Sequence, residues 1–401
     1  MTSPRPFALS AVVVLAALAA ACDPVPTAPR AARLTPDVVT IDPSTQVLGV
    51  DLGVLPGDRS SRAVWITEEG TVYGYSYAVD YDAYRCPLIP GCVEPTRHPF
   101  RWTAAGGIQA VSSIPARPAF PIPSGAPASA GAANAKGEVA GPDDLDDLVP
   151  PWRWSRGAGR RVIDPLWYLD PEVAGYGTGV AINRWGHVAG AHFRFEVRTY
   201  FWTPLDSFGD RIAGEASAER RFITLNDNDQ VTLLSCCAPS AALWRPDIGY
   251  RSLVNFDGII NDDRPTFAVA QNNRNQVVGW GVVNESFTAH ATLWNAPPLS
   301  RTGFPVVNAS PISYTSTISL AATGGRYFLI YRATQSTAAG PYVHHVDWGD
   351  GRASRRTRST VGGLLYVDHV FTKTGTFWVR VYVKDAQGRW GVAERRVTVT
   401  A

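Results

Sequence analysis

Apolar and polar residues alternate on both sides of Asn272-Asn273-Arg274-Asn275 within residues 267–294. Alternation of period two around residues that tolerate positive φ and bond their own backbone predicts a β-hairpin. A second strand pair then closes on Leu293-Trp294. The same pattern returns at residues 180–190, which run on to Phe201-Trp202, and at 133–141, which run on to Trp152-Arg153-Trp154. Fainter copies lie at 223–231 with Leu243-Trp244 and at 64–74 with Phe100-Arg101-Trp102. No stretch sustains a helical period, so the chain reads as repeated short strands.

The turn residues Gly70, Gly137, Gly186, Asp229 and Asn275 are spaced by 67, 49, 43 and 46 residues, and the closing tryptophans Trp102, Trp154, Trp202, Trp244 and Trp294 by 52, 48, 42 and 50. A four-stranded unit of this length cannot bury both faces alone, so the period predicts an all-β, propeller-like array of about five four-stranded blades over residues 46–297. Only the first unit carries a long insertion between turn and tryptophan. A fourth strand is expected after the tryptophan at residues 107–114, 160–166 and 250–256, and the third unit has a poor candidate there. The fifth unit has none, because Pro297-Pro298 follows Trp294 and prolines cannot continue a ladder. Residues 46–53 stand unpaired ahead of the first unit. They are predicted to supply the outer strand of the fifth blade and so close a five-bladed ring.

The repeat stops in a Pro-containing linker, placed at 298–312. Residues 313–401 read as an immunoglobulin-like β-sandwich, with strands at 316–322, 327–333, 343–348, 364–371, 375–383 and 395–400.

Two resemblances follow from these residues. Residues 50–63, the Asn/Gly turns followed by Val-x-Gly and the Phe-x-Trp closures resemble the HAF repeats of bacterial extracellular proteins. Asp229 departs from that pattern in place of the turn glycine, as do Glu68-Glu69 in place of paired asparagines. The resemblance implies a β-array and transfers no catalytic residue. Asp347-Trp348-Gly349-Asp350-Gly351, the segment at 367–377 and the segment at 379–388 resemble, in the right order, a PKD (polycystic kidney disease) domain. Such domains serve mostly as spacers or binding modules. Trp348 is expected to fill the core, Gly349 and Gly351 to take positive φ, Asp350 to bond turn amides, and Gly375 to set the bend before Phe377. Calcium between Asp347 and Asp350 is the alternative to this turn role.

Composition agrees with an exported all-β protein: the 401 residues include 36 Gly, 31 Pro, 13 Trp, 15 Tyr and 15 Phe. A net charge of +2 is too small for a nucleic-acid surface, and the arginine excess by itself assigns no function. Residues 1–21 hold Arg5 and an apolar run too short to span a bilayer, as in a signal peptide. Ala19-Ala20-Ala21-Cys22 resembles a lipobox in which the Cys22 thiol is acylated; ordinary cleavage at an Ala-x-Ala site is the alternative. Pro, Ala and Thr enrich the following residues, and 22–45 is read as a flexible tether. In an oxidising compartment Cys86 and Cys92 suit a local disulfide, and a metal site would need more ligands than the nearby His98. Cys236-Cys237 suits either a vicinal disulfide or a free pair. His187 and His192 are taken as turn or surface histidines, not metal ligands, and Asp143-Asp144-Leu145-Asp146-Asp147 as an exposed acidic loop, not a calcium loop. No nucleophile elbow, zinc-helix or phosphate-loop motif occurs. Neither a metal nor a cofactor is expected.

These observations predict an exported, lipid-anchored, monomeric surface protein. Its array would bind a polysaccharide or a surface protein, and its PKD-like domain would act as a spacer or auxiliary module. No residue is assigned to the ligand. The alternatives are a carbohydrate-active hydrolase or lyase with a site in the central depression of the array, and a purely structural envelope protein.

Overall fold

The computed structural model describes residues 45–80, 95–117, 119–124, 126–127, 131–141, 151–163, 176–193, 197–204, 210–211, 220–235, 241–256, 258, 265–282, 288–300, 304–311, 317–334, 340–358, 360 and 362–401. Cys22, Cys86, Cys92, Cys236, Cys237 and residues 143–147 lie outside the described residues, so the lipidation, disulfide and acidic-loop readings find no structural description. Residues 41–401 form one compact unit.

Gln46–Asp51 (β1) opens the array. The first blade is Ser60–Ile66 (β2), Val72–Tyr77 (β3), His98–Thr103 (β4) and Gly107–Ala110 (β5). The second is Ala132–Ala133 (β6), Val139–Gly141 (β7), Trp152–Ser155 (β8) and Gly159–Val162 (β9). The third is Tyr176–Ile182 (β10), Val188–Phe193 (β11), Val197–Trp202 (β12) and the two-residue Asp210–Arg211 (β13). The fourth is Arg220–Leu225 (β14), Val231–Ser235 (β15), Ala242–Arg245 (β16) and Gly249–Val254 (β17). Thr266–Gln271 (β18), Gln276–Val282 (β19) and Ala289–Asn295 (β20) make three strands of the fifth.

One register recurs in every blade. The first valine of the second strand stands opposite the closing tryptophan of the third, in the pairs Val72–Trp102, Val139–Trp154, Val188–Trp202, Val231–Trp244 and Val277–Trp294. An aromatic beside a β-branched neighbour is a favourable cross-strand pair, and repeating it fixes the same register five times over. The turn ahead of each valine needs one left-handed residue: φ is 92° at Gly70, 70° at Gly137, 78° at Gly186, 60° at Asp229 and 63° at Asn275.

The fourth strand of the fifth blade comes from the start of the array. Gly49, Val50 and Asp51 pair antiparallel with Trp294, Leu293 and Thr292. The front half of β1 does more than the sequence suggests, because Gln46, Val47 and Leu48 pair parallel with Ser252, Leu253 and Val254 of the fourth blade. The fourth and fifth blades thereby form one eight-stranded sheet. Apolar side chains fill the seams: Ile66, Val72 and Phe100 meet Ala270, Val278 and Leu293 between the first and fifth blades, and Ala189 and Phe201 meet Val231 and Leu233 between the third and fourth.

The C-terminal sandwich has a three-stranded sheet of Val306–Pro311 (β21), Arg326–Thr334 (β23) and Leu365–Val370 (β26). Its five-stranded sheet runs Thr317–Ser319 (β22), Trp390–Thr400 (β28), Gly375–Lys384 (β27), Tyr342–Asp347 (β24) and Ala353–Arg358 (β25). Three readings are corrected. The linker placed at 298–312 contains a sandwich strand, since Val306–Pro311 pairs with β23; Val307 and Ala309 are buried while Val306 and Asn308 are exposed, too short an alternation to stand out. β25 escaped notice because an edge strand reading Ala-Ser-Arg-Arg-Thr-Arg carries no apolar face. The strand read at 316–322 keeps three residues and becomes a one-turn helix, Leu320–Thr323 (α1). Among the described residues, no helix is long and apolar enough to cross a membrane.

Trp348 is fully buried in the sandwich core, stacked on His369 at 4.8 Å. Gly349 and Gly351 have φ of 77° and 94°, and Gly375 151°. Asp347 accepts the Gly349 N–H at 2.9 Å, and Asp350 accepts the Arg352 N–H at 3.0 Å while its second oxygen holds His369 at 2.7 Å. Burial opposes ionisation of Asp350, but the hydrogen bonds from His369 and the Arg352 backbone outweigh it and lower the pKa.

Candidate functional site

The turns between the first and second strands of the blades build one continuous polar belt. Each starts with a residue whose side chain accepts the N–H groups of its own turn: Asn226 Oδ1, for example, takes those of Asn228 and Gln230 at 3.0 and 2.9 Å. The other end of the amide points to the next blade. Asn134 Nδ2 donates to the Asn183 carbonyl at 2.8 Å, Asn183 to Asn226 at 3.1 Å, Asn226 to Asn272 at 2.9 Å and Asn272 to Thr67 at 2.9 Å. Thr67 uses its hydroxyl to accept the Thr71 N–H and has no amide to pass on. A second row runs one residue later: the N–H of Arg184 meets Asp227, that of Asp227 meets Asn273, and that of Asn273 meets Glu68, at 2.9, 2.8 and 2.9 Å. The departures Glu68 and Asp229 thus have partners, Glu68 ending the outer row and Asp229 bonding Asn183 Nδ2 and His187 Nδ1, both at 2.8 Å.

His187 closes the turn that Asn183 opens, in line with the turn half of its sequence reading, but it is fully buried and not at the surface. Its ring meets Trp390 of the sandwich at 4.6 Å, edge to face. His192 lies in β11.

The sandwich docks on the turns of the second and third blades through two adjoining patches. In the aromatic patch, Tyr382 donates its hydroxyl to the Trp185 carbonyl at 2.5 Å, and Trp185 meets Trp390 at 6.5 Å. In the ionic patch, Glu138 receives both Arg380 amino groups at 2.8 and 3.0 Å and contacts Arg153. Arg153 reaches Asp347 at 3.5 Å, and Arg380 Nε donates to Glu394 at 2.9 Å. Lys136 contacts Glu394 and lies over the Trp378 ring, 4.6 Å from its centroid. Burial alone would raise the Glu138 pKa; the guanidiniums of Arg153 and Arg380 reverse that and hold it far below the usual carboxylate range. Burial, helped by repulsion from Arg380, pushes Lys136 down to about 7.

Two glycines permit this approach. A Cβ on Gly186 would stand 2.9 Å from terminal nitrogens of both Arg153 and Arg380, and one on Gly157 would stand 2.1 Å from the Gly349 carbonyl oxygen. The Asp347–Gly351 motif therefore shapes an interdomain contact as well as a turn. Glu138, Arg153, Arg380 and Glu394 passed unnoticed in the sequence, where up to 242 residues separate bonded partners. Among the described residues, no group of three or more His, Cys, Asp or Glu side chains is placed to hold a metal ion.

No family model and no curated protein matches the chain. Solved structures with similar folds include the PKD domain of an M14-like peptidase from Thermoplasmatales archaeon SCGC AB-540-F20, at 22% identity over 24% of this chain and 97% of that one, with a TM-score of 0.20. The extracellular domain of the hybrid two component system BT3049 from B. thetaiotaomicron matches at 9% identity over 85% of this chain and 50% of that one, TM-score 0.24. Selenomethionine substituted virginiamycin B lyase from Staphylococcus aureus matches at 9% identity over 88% and 99%, TM-score 0.24. Likeness at these scores assigns no family, and the chain stands as an all-β protein joining a propeller-like array to an immunoglobulin-like sandwich.

Proposed function

We propose that this chain is an exported surface protein that binds a glycan or protein ligand, with the array and the docked sandwich acting as one rigid receptor. The observation that carries the reading is the hydrogen-bonded belt of turns, which continues into the ionic junction with the sandwich. Turns tied to one another lose little freedom on binding, and reduced ordering cost is what a preformed recognition surface needs. The purified ectodomain on a glycan array, and in pull-downs from envelope fractions, should capture at least one ligand saturably. Turnover of an arrayed glycan, or no capture at all, would overturn the reading. Anchoring is tested separately: a palmitate analogue should label the wild type and not Cys22→Ser, with the labelled protein partitioning into membranes.

A further inference from the structure

The ion pairs of the junction are internally matched, Glu138, Asp347 and Glu394 against Arg153, Arg380 and Lys136. A second group of cations beside them is not. β9 is the outer strand of the second blade and β25 an outer strand of the sandwich. The turns that lead into them interlock: Gly157 abuts the Gly349 carbonyl, and Gly351 abuts Ala158. From this contact β9 carries Arg160 and Arg161, and β25 carries Arg355, Arg356 and Arg358, all exposed; side chains alternate along each strand, so Arg355 shares the side of His345 with Arg161, while Arg356 and Arg358 stand on the opposite face with His344. None of the five forms an ion pair among the described residues.

The two strands share a neighbour. His345 on β24 pairs in register with Arg355. Burial first, with repulsion from Arg161, Arg355 and Arg153 beyond the opposing pull of Asp347, pushes His345 down to about 4. Arg161 of the array and Arg355 of the sandwich thus act on the same ring. On the array side the guanidiniums are also shelved on aromatic faces: Arg160 lies 5.5 Å from the centroid of Trp152 and Arg161 5.4 Å from that of Trp202. Stacking on a buried indole restricts side chains that would otherwise lose much rotamer freedom on binding.

We propose that this arginine ledge, spanning blade and sandwich, binds an acidic polysaccharide through carboxylate groups repeated along the glycan. A guanidinium fork matches a carboxylate in two parallel hydrogen bonds, and an extended polyanion fits two open strand edges better than a closed pocket. A single-stranded nucleic acid would want open aromatic faces for its bases, whereas Trp152 and Trp202 are buried. The proposal rests on the binding function above and names its ligand class.

The test measures binding of the full chain to polygalacturonate, neutral dextran and a short single-stranded DNA. Saturable polygalacturonate binding that weakens with salt is expected, with none to dextran and weaker binding to DNA. The double variant Arg161→Gln/Arg355→Gln should lose about tenfold or more in affinity, as for two charge-assisted contacts. Arg355→Gln alone, at an exposed edge position of β25, provides an independent check if the first pair unsettles the junction. DNA binding as tight as polygalacturonate binding, or affinity unchanged in both variants, would overturn the ledge. Capture of a neutral glycan or protein that survives both variants would remove the ledge while leaving the broader binding function standing; failure to capture anything would remove both.

Discussion

The chain holds neighbouring sheets together in two ways, and both start from the same turns. Between blades it uses neutral amides, one asparagine at each of four seams, each placed by its own turn. Between array and sandwich it uses ionised groups, with Glu138 from the turn that Asn134 opens. The amide repeats because the following blade offers it the same carbonyl at each of these four seams. The charged cluster occurs once because its partners come from a different fold. Neutral bonds distribute a modest gain over many places, while buried charges concentrate a large liability in one, since each must be matched to justify its desolvation.

The largest expected effect follows from unbalancing that cluster. Glu138→Ala leaves Arg153 and Arg380 facing each other in the interior, with Arg380 fully buried. Removing one partner of a buried ion pair costs about 3–5 kcal/mol, so the urea midpoint should fall sharply and the sandwich should melt apart from the array. A change smaller than that for an asparagine of the belt would break the contrast between the two seams. On the amide side, Asn226→Ala removes the acceptor of two turn N–H groups and the donor to Asn272. The expected cost is about 2 kcal/mol, by the same measurement and with the sandwich still attached.

How much of this could be read from sequence depends on the range of the contact. The positive-φ turn positions and the strands of the blades are local, and residues 46–53 fall to the fifth blade because Pro297-Pro298 leaves it without any candidate for a fourth strand. Their parallel pairing with β17 is not legible, because nothing in six residues states that a strand serves two blades. Thr67 marks the one seam whose turn residue cannot pass on an amide. That substitution is visible in the sequence, but its meaning appears only when the other four turns are seen bonding forward. His187 was misread for the opposite reason. Its partners are Asp229 in the next blade and Trp390 in the next domain, neither of which its own stretch of sequence points to. β25 and the arginines it shares with β9 carry no periodic signal, since an exposed edge is under no pressure to alternate.

The smallest expected effect sharpens the contrast through pH. His344 is buried in the sandwich, with its ring 5.8 Å from that of Tyr331 and neither nitrogen in a hydrogen bond. Burial first, then the Arg358 charge, pushes its pKa down to about 4. A histidine in the unfolded chain titrates near 6.5, so between about pH 6.5 and 4 the unfolded state holds the extra proton and stability falls as pH falls, no more steeply than about 1.4 kcal/mol per pH unit for one proton. His345, also pushed down to about 4, acts in the same direction and window. Glu138 is silent there: its folded pKa is depressed, so its contribution is intact above the unfolded value of about 4.3 and is lost only on further acidification. The amides of the belt do not titrate at all. Urea midpoints at pH 7.5 and 5 should therefore differ in the wild type and differ less in His344→Phe, whose ring suits the apolar site, with little change between the two proteins at pH 7.5. An undiminished difference in His344→Phe would assign the acid sensitivity to His345 and so to the junction with the array; stability that rises on acidification would overturn the account of both histidines.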